Sequence, residues 1–372
     1  MGEKLTNTVH KNLPKPVRDL TIDLLRGYFL FMIIIDHMGS FPSLLEPFTG
    51  GGKLLVSAAE GFFFLSGLLV GRLRGWDVRM GNFDKAKRWL LHRAAVLYVV
   101  SIVLTLGFTL TAWAFHYTPK VTLGVSKFGI VETLWRTLTL QYSFGLADML
   151  PLYTIYLLGA IVVLHQLSRG RWKLVLSVSA LLWVIPLVTA GYLRPIGTYF
   201  SLFSWQILFF GGIVFGYYNY EISQWWESKK RKKRLQILSC LAVFAGFGIA
   251  YSWALRLVGG LYNSQKVALK PLFDTIELGP GRLLLFAVCI IVAYHFIRHY
   301  EEKIVRAVGW FFLPLGQHSL FVYALHSIFV FAFIGNPVQG VLLATLANIL
   351  ILLVIWLLTL QYQKLPSKHK YL

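Results

Sequence analysis

The stretch Asp23-Leu-Leu-Arg-Gly-Tyr-Phe-Leu-Phe-Met-Ile-Ile-Ile-Asp-His37 is an apolar segment of helix length that carries charge at both ends. Arg26 and His37 are eleven positions apart, so on an α-helix they lie within about 20° of one face and roughly 16 Å apart along the axis. Ionisable side chains inside a membrane are costly and are retained for proton paths, substrate sites or catalysis. The stretch therefore predicts a membrane helix with a functional face, and a hydrogen-bonded structural histidine is the alternative.

The composition of the chain is that of a polytopic membrane protein. Of its 372 residues, 56% are hydrophobic and 14% are charged, and the mean hydropathy is +0.63. The net charge of +20 comes from short basic runs between apolar segments, which indicates membrane orientation rather than nucleic-acid binding. Cys240 and Cys289 lie in apolar segments without metal-ligand spacing, so no metal site is expected. The polar, basic first 20 residues are not followed by a cleavage site, so no cleaved signal peptide is expected.

The hydropathy pattern predicts an all-α bundle of about ten transmembrane helices. The predicted spans are residues 20–41, 54–72, 90–115, 148–167, 173–191, 200–220, 235–255, 281–298, 309–333 and 339–361. Most Lys and Arg residues then fall in the predicted cytoplasmic segments, and this bias places both termini in the cytoplasm. We expect one membrane domain, residues 20–361, between a cytoplasmic segment 1–19 and a cytoplasmic tail 362–372.

Residues 132–147 are the least regular part of this pattern. They are amphipathic and contain Arg136. A segment of this kind lies along the membrane surface or re-enters the protein rather than crossing.

The second predicted span has a polar and glycine-rich stripe. At helical spacing, one face carries Ser57, Glu60, Phe64, Gly67 and Gly71. The glycines let another helix approach closely, and Glu60 should face the bundle interior. Glu60 and His37 would then lie at comparable depth, so that Glu60 or Asp36 could orient a catalytic His37. The alternative is a packing seam in which Glu60 is paired with an arginine.

Further polar residues fall at both ends of the predicted bundle. The basic segment from Arg72 to Arg93 suits the phosphates of a cytosolic donor, although membrane orientation alone would also produce it. Four polar or aromatic residues near the outer ends of the spans could contact a hydroxylated acceptor: Asp148, Trp205, Gln206 and Arg282. Aromatic belts are the alternative explanation for Trp205, which could otherwise stack on a sugar.

The ninth predicted span carries a second polar stripe. Ser319, Tyr323 and His326 share one helical face. A substrate site and a structural hydrogen-bond network are both compatible with this stripe.

Several of these motifs resemble those of a known family. Arg26-x10-His37 and Phe63-Phe-Leu-Ser-Gly67 resemble the Arg-x10-His and Phe-Phe-x-x-Ser-Gly signatures of the membrane acyltransferase family 3 superfamily. Within it, six further motifs resemble OpgC, the succinyltransferases of osmoregulated periplasmic glucans. These are Asp23-x-x-Arg-Gly, Ile35-Asp-His, Glu60-Gly-Phe, Leu150-Pro-Leu-Tyr, Trp205-Gln, and Leu315-Gly-Gln-His-Ser with Leu325-His. The similarity covers residues 18 to about 330.

The resemblance implies a multi-pass inner-membrane acyltransferase with ten spans. Its co-substrate would be a cytosolic acyl-CoA, succinyl-CoA or acetyl-CoA, its acceptor an extracytoplasmic glycan, and no cofactor would be bound permanently. His37 matches the catalytic histidine of the family and Arg26 its paired arginine. The candidate site residues are His37, Asp36 and Glu60 for catalysis, Arg26, Asp23, Ser66 and Arg72 for the donor, and Asp148, Trp205, Gln206, Arg282, Ser319, Tyr323 and His326 for the acceptor or in support.

Two other classes of function fit the same buried charges. A transporter or flippase would use them as an ion relay. A membrane scaffold would use them as packing contacts.

Overall fold

The computed structural model describes residues 14–39, 42–52, 54–115, 124–189, 200–257, 269, 271–333, 338 and 340–365. The longer helices are α1 (Leu20–Met38), α2 (Ala58–Arg79), α3 (Phe83–Ala114), α4 (Ile130–Leu138), α5 (Met149–Ser168), α6 (Trp172–Val188), α7 (Leu202–Tyr217), α8 (Asn219–Glu227), α9 (Arg231–Leu257), α10 (Pro280–His299), α11 (Trp310–Gln317), α12 (Ser319–Phe333) and α13 (Val341–Lys364). Shorter helical turns are Glu46–Thr49, Gly50–Gly52, Gly124–Phe128, Glu301–Ile304 and Val305–Gly309. The all-helical architecture that the hydropathy pattern predicts is therefore present in the described residues.

Five of these helices, α3, α5, α9, α10 and α13, are long and apolar enough to cross a membrane. The pair formed by Glu301–Gln317 and Ser319–Phe333, bent by 87°, would make a sixth. Helices α1 and α2 have the length but carry charged residues inside the helix, and α6 and α7 have only 17 and 16 residues. The total of ten spans and the sidedness of the termini remain predictions, and much of the predicted terminal segments 1–19 and 362–372 lies outside the described residues.

Helices α2 and α7 pack with their backbones in contact. A Cβ added at Gly67 would overlap the carbonyl oxygen of Phe209, and one at Gly71 would overlap that of Ile213. On the facing helix, Gly216 lies against the Leu68 carbonyl in the same way. The glycine stripe predicted for the second span therefore does bring another helix into backbone contact, as small residues do in membrane bundles.

A second close contact joins α1 to α11 and precedes a break in the chain. Gly27 packs on the backbone of Phe312, and Gly316 packs on the backbone of Asp23. The helix then ends at Gln317, and α12 leaves at an angle of 87°. The prediction of one continuous helix over 309–333 is therefore wrong. Its sequence contains residues that weaken a helix, Pro314 and Gly316, just before the break.

Residues 132–147 do not cross the bundle as a helix. Their first part belongs to α4, which turns Thr133 and Thr137 inward and leaves apolar side chains such as Val131 and Trp135 exposed. The chain that follows enters the protein, where Tyr142 and Phe144 are buried. The segment thus consists of a short helix with exposed apolar side chains and a buried stretch after it, and its position relative to the membrane stays a prediction.

Candidate functional site

Helix α1 presents its polar residues to α12. Near one end, Arg26 Nη2 donates a hydrogen bond to Ser319 Oγ. Near the other, His37 Nδ1 lies 3.0 Å from His326 Nε2. The common face predicted from the spacing of Arg26 and His37 is thus occupied by the polar stripe of α12, and the two stripes that the sequence showed separately form one interface.

The two histidines form an in-plane hydrogen bond. Their ring planes are inclined by only 28° and their centroids are 5.3 Å apart. That separation is close to the N···N distance plus the radii of two imidazole rings, so the donor, acceptor and both ring centres lie nearly on one line. His326 is fully buried, whereas His37 is exposed. A substrate can therefore approach the ring of His37 but not that of its partner.

The loop before α5 closes the third side of this interface. The carbonyl oxygen of Leu146 accepts hydrogen bonds from Tyr323 Oη at 3.1 Å and from Ser327 Oγ at 3.0 Å. Most of residues 142–148 are buried although they are not helical.

A cavity of about 270 Å³ lies between α1, α2, α3, α5 and α12. Its polar lining includes Arg26, Arg74, Arg93, Tyr153, Ser319 and Tyr323. At the end nearest the predicted cytoplasmic side, Arg74 stacks on Trp89, with the guanidinium carbon 4.8 Å from the ring centroid. At the other end lies Tyr323, about one helical turn before His326. The Tyr323 carbonyl oxygen contacts His326 Nδ1 at 2.6 Å. Neither histidine lines the cavity, and Tyr323 is the lining residue that contacts His326.

Arg26 is one of the cations that line this cavity. Within the described part of the chain it forms no ion pair, and its Nε has no hydrogen-bond partner. The carboxylate three residues before it, Asp23, accepts instead from Arg18 Nε at 2.6 Å. A buried charge without a carboxylate is expensive, so Arg26 is suited to an anionic or strongly electronegative ligand.

The comparison with family models is decisive for classification. The model described as OpgC protein matches residues 18–366. The chain belongs to the OpgC family. A search of the curated proteins and a search of the solved structures give no match. OpgC membership indicates a membrane acyltransferase that modifies glucans.

In this OpgC protein Glu60 is paired with an arginine rather than with His37. Its Oε1 accepts from Arg282 Nε, and its Oε2 accepts from Ser57 N at 3.0 Å and Ser57 Oγ at 2.6 Å. Arg282 also donates to Thr275 Oγ1 and to Ser57 Oγ, both at 3.1 Å. The predicted hydrogen bond between Glu60 and His37 is therefore not formed, because both carboxylate oxygens are used at the start of α2. The arrangement matches the alternative in which Glu60 is paired with an arginine.

The second predicted orienting group, Asp36, is half-buried. It precedes His37 directly, so it lies about 100° away around the helix. The ring nitrogen in contact with His37 Nδ1 belongs to His326, which the sequence placed only among acceptor or supporting residues.

The predicted donor residues separate into two groups. Arg26 and Ser66 line the cavity, where Tyr153 Oη donates to Ser66 Oγ at 3.4 Å. Arg72 instead donates to Asp19 Oδ2 at 2.8 Å and borders a different cavity, of about 240 Å³. Asp23 is buried and bound to Arg18. Neither Arg72 nor Asp23 lines the cavity that reaches Arg26.

The predicted acceptor residues of α5 and α7 are buried. Trp205 is fully buried between Phe63 and Phe200 and donates to the Ile276 carbonyl at 3.0 Å, so its ring is not open to stacking on a sugar. Gln206 donates to the Ser179 carbonyl at 2.7 Å and ties α7 to α6. Asp148 is buried at the start of α5. These positions support the helices rather than open a binding surface.

Several cavity residues were not singled out from the sequence. Arg74, Trp89 and Arg93 fall inside the basic segment assigned to donor phosphates, but nothing in that run distinguishes them from Arg72. Tyr153 ends the Leu150-Pro-Leu-Tyr motif, and its ring stacks on Phe63 at 4.5 Å. In the described part of the chain, no group of three His, Cys, Asp or Glu residues is placed to hold a metal ion.

Proposed function

We propose that this protein is an integral-membrane O-acyltransferase of the inner membrane. It moves an acyl group, succinyl in the first instance, from a cytosolic acyl-CoA to a hydroxyl of an extracytoplasmic glucan. We also propose that the OpgC family belongs to the membrane acyltransferase family 3 superfamily. The support for this is the pair of motifs Arg26-x10-His37 and Phe63-Phe-Leu-Ser-Gly67.

The observation that carries the proposal is the cavity lined by Arg74, Arg93, Arg26 and Tyr323. Tyr323 also contacts His326 through its carbonyl oxygen, and His326 contacts His37. Guanidinium groups bind phosphate with paired hydrogen bonds, and an indole face such as that of Trp89 can stack on a nucleobase. Arg26 and His37 are separated by roughly 16 Å of helical rise, a length that an extended pantetheine arm covers.

In the proposed reaction His37 acts as general base. Its free ring nitrogen takes the proton of the acceptor hydroxyl, the oxygen attacks the thioester carbonyl carbon, and the C–O bond forms as the C–S bond breaks. CoA leaves as the thiolate and takes up the proton. In an alternative mechanism with a covalent intermediate, His37 itself carries the acyl group before the hydroxyl receives it. Arg26 neutralises a donor phosphate or the charge that develops on the donor carbonyl.

The direct test is acyl transfer by the purified protein. Succinyl-CoA and a neutral periplasmic-type glucan are expected to give free CoA and an ester of the glucan in equal amounts, measured by thiol release and by mass spectrometry of the glucan. Acetyl-CoA in a parallel reaction tests the choice of acyl group. Absence of ester with either donor, together with ion or glycan translocation in proteoliposomes, would instead support a transporter.

A second prediction concerns Arg26, which forms no ion pair among the described residues. Arg26→Ala is expected to weaken CoA binding about 10- to 100-fold, because a hydrogen bond to a charged group contributes roughly 1.5–3 kcal/mol. Arg26→Lys should weaken it less, since lysine keeps the charge and loses only the planar fork. Isothermal titration calorimetry with CoA measures both effects.

The matched control is Arg298→Ala. Arg298 is exposed on α10, pairs with Glu301 and does not line the cavity. The Arg298→Ala variant loses the same charge as Arg26→Ala and should have unchanged CoA affinity. Equal affinities for wild type, Arg26→Ala and Arg26→Lys would rule out Arg26 as a donor contact.

A further inference from the structure

The hydrogen bonds around His326 define which of its ring nitrogens carries the proton. His326 Nδ1 lies 2.6 Å from the carbonyl oxygen of Tyr323. A carbonyl oxygen only accepts, so Nδ1 must be the donor. A neutral imidazole carries one N–H, and Nε2 of His326 is therefore an acceptor.

The tautomer of His326 also determines which nitrogen of His37 carries the proton. Because His326 Nε2 accepts, the hydrogen bond of 3.0 Å between the rings must be donated by His37 Nδ1. Neutral His37 then has no hydrogen on Nε2. Within the described part of the chain Nε2 of His37 has no hydrogen-bond partner, and the residue is exposed. Its lone pair is thus available to a substrate.

We infer that His326 is a positioning residue that holds His37 in the Nδ1–H tautomer, with the hydrogen bond to the Tyr323 carbonyl setting the direction of the pair. This inference rests on the proposed function, since it assigns to His37 the nitrogen that acts. Orientation of a ligand or base histidine through its second nitrogen is a general device, usually performed by a carboxylate or a carbonyl. Here a second histidine stands between the base and the carbonyl.

The hydrogen bond to His326 also stabilises the protonated form of His37. The O–H bond of the acceptor breaks and an N–H bond forms at Nε2, so both nitrogens of His37 carry hydrogen. Nδ1–H continues to donate to the lone pair of His326 Nε2, a charge-assisted hydrogen bond that is stronger than the neutral one. When the C–S bond breaks, the thiolate receives the proton and the neutral pair is restored.

Three variants test the acceptor at position 326. His326→Gln can place its amide oxygen near the position of Nε2 and accept from His37, whereas His326→Leu has similar bulk and no acceptor. Thr359→Ala serves as the control, because it removes a buried hydroxyl on α13 that donates to the Ile355 carbonyl and does not line the cavity. We expect His326→Leu to lower kcat about 10²-fold with KM nearly unchanged, since loss of the correct histidine tautomer lowers kcat by as much as about 10⁴-fold in a catalytic triad. His326→Gln should recover most of this loss.

The tautomer itself is read by NMR of protein with ¹⁵N-labelled histidine rings. The His37 signals are assigned by their loss in His37→Asn. The expected result at neutral pH is a protonated Nδ1 and an unprotonated Nε2 on both His37 and His326, and a mixture of tautomers at His37 in His326→Leu.

The outcomes separate this inference from the proposed function. A His37 protonated on Nε2 in the active wild type would overturn the inference and leave the acyltransferase proposal standing. Equal kcat values for His326→Leu and wild type would have the same consequence. An Nδ1–H tautomer at His37 in a protein that transfers no acyl group would support the inference and count against the proposed function. If His326→Leu does not fold, the wild-type spectrum and the activity of His326→Gln decide.

Discussion

His37→Ala is expected to lower acyl transfer about 10²- to 10⁴-fold, the range that a positioned general base contributes. The protein should still fold, because His37 is exposed on α1 and its one described hydrogen bond is to His326. Loss of transfer should therefore appear in kcat rather than in expression. The measurement is the initial rate of glucan ester formation by the purified variant, with CoA affinity measured on the same preparation.

His37→Asn separates chemistry from packing. Asparagine can keep a hydrogen-bond donor near the position of Nδ1 but cannot accept a proton, so it should be as inactive as alanine. His295→Ala provides a matched control, since it removes a histidine from α10, outside the cavity. Near-wild-type rates in His37→Ala would remove both the base and the covalent-carrier roles from this residue.

Donor and acceptor are expected to act from opposite sides of the membrane. The basic end of the cavity, with Arg74 and Arg93, belongs to the predicted cytoplasmic segment, whereas His37 lies further along α1. In proteoliposomes oriented with the amino terminus inside, radiolabelled acyl-CoA supplied internally should label a glucan supplied externally. The reverse arrangement should give no labelled glucan, because CoA and glucans do not cross a bilayer of hydrocarbon.

Permeabilised proteoliposomes provide the control for sidedness. After permeabilisation both arrangements should label the glucan at equal rates, which shows that enzyme and substrates are competent. Labelling of intact vesicles only when both substrates are on the same side would exclude transfer across the membrane. The acyltransferase chemistry would still stand in that case.

Features that depend on helical period could be predicted from the sequence. The Arg26 and His37 face, the stripe of Ser319, Tyr323 and His326, and the glycine face of α2 all follow from 3.6 residues per turn. Each is present in the structure and contacts another helix. The glycine seam in particular needs no tertiary information, because a residue without a side chain permits close approach wherever the partner lies.

Pairings between distant parts of the chain could not be predicted in the same way. His37 is joined to His326, 289 residues away, and Glu60 to Arg282, 222 residues away. Glu60 and His326 are both polar residues on inward faces, so periodicity gives no preference between them as partner of His37. The assignment of Glu60 to His37 failed because Ser57 and Glu60 form a capping box that directs the carboxylate to the start of α2 and to Arg282.

The sequence by itself determined the membrane class, the helical faces and the residues capable of chemistry, because composition and period act locally. The tertiary structure alone decided that α11 and α12 meet at 87° and that Arg26 has no carboxylate partner among the described residues. It also decided that Tyr323 links the cavity to the histidine pair. These features depend on how helices far apart in the chain pack together, and the rotation of one helix against another is set by all their contacts at once.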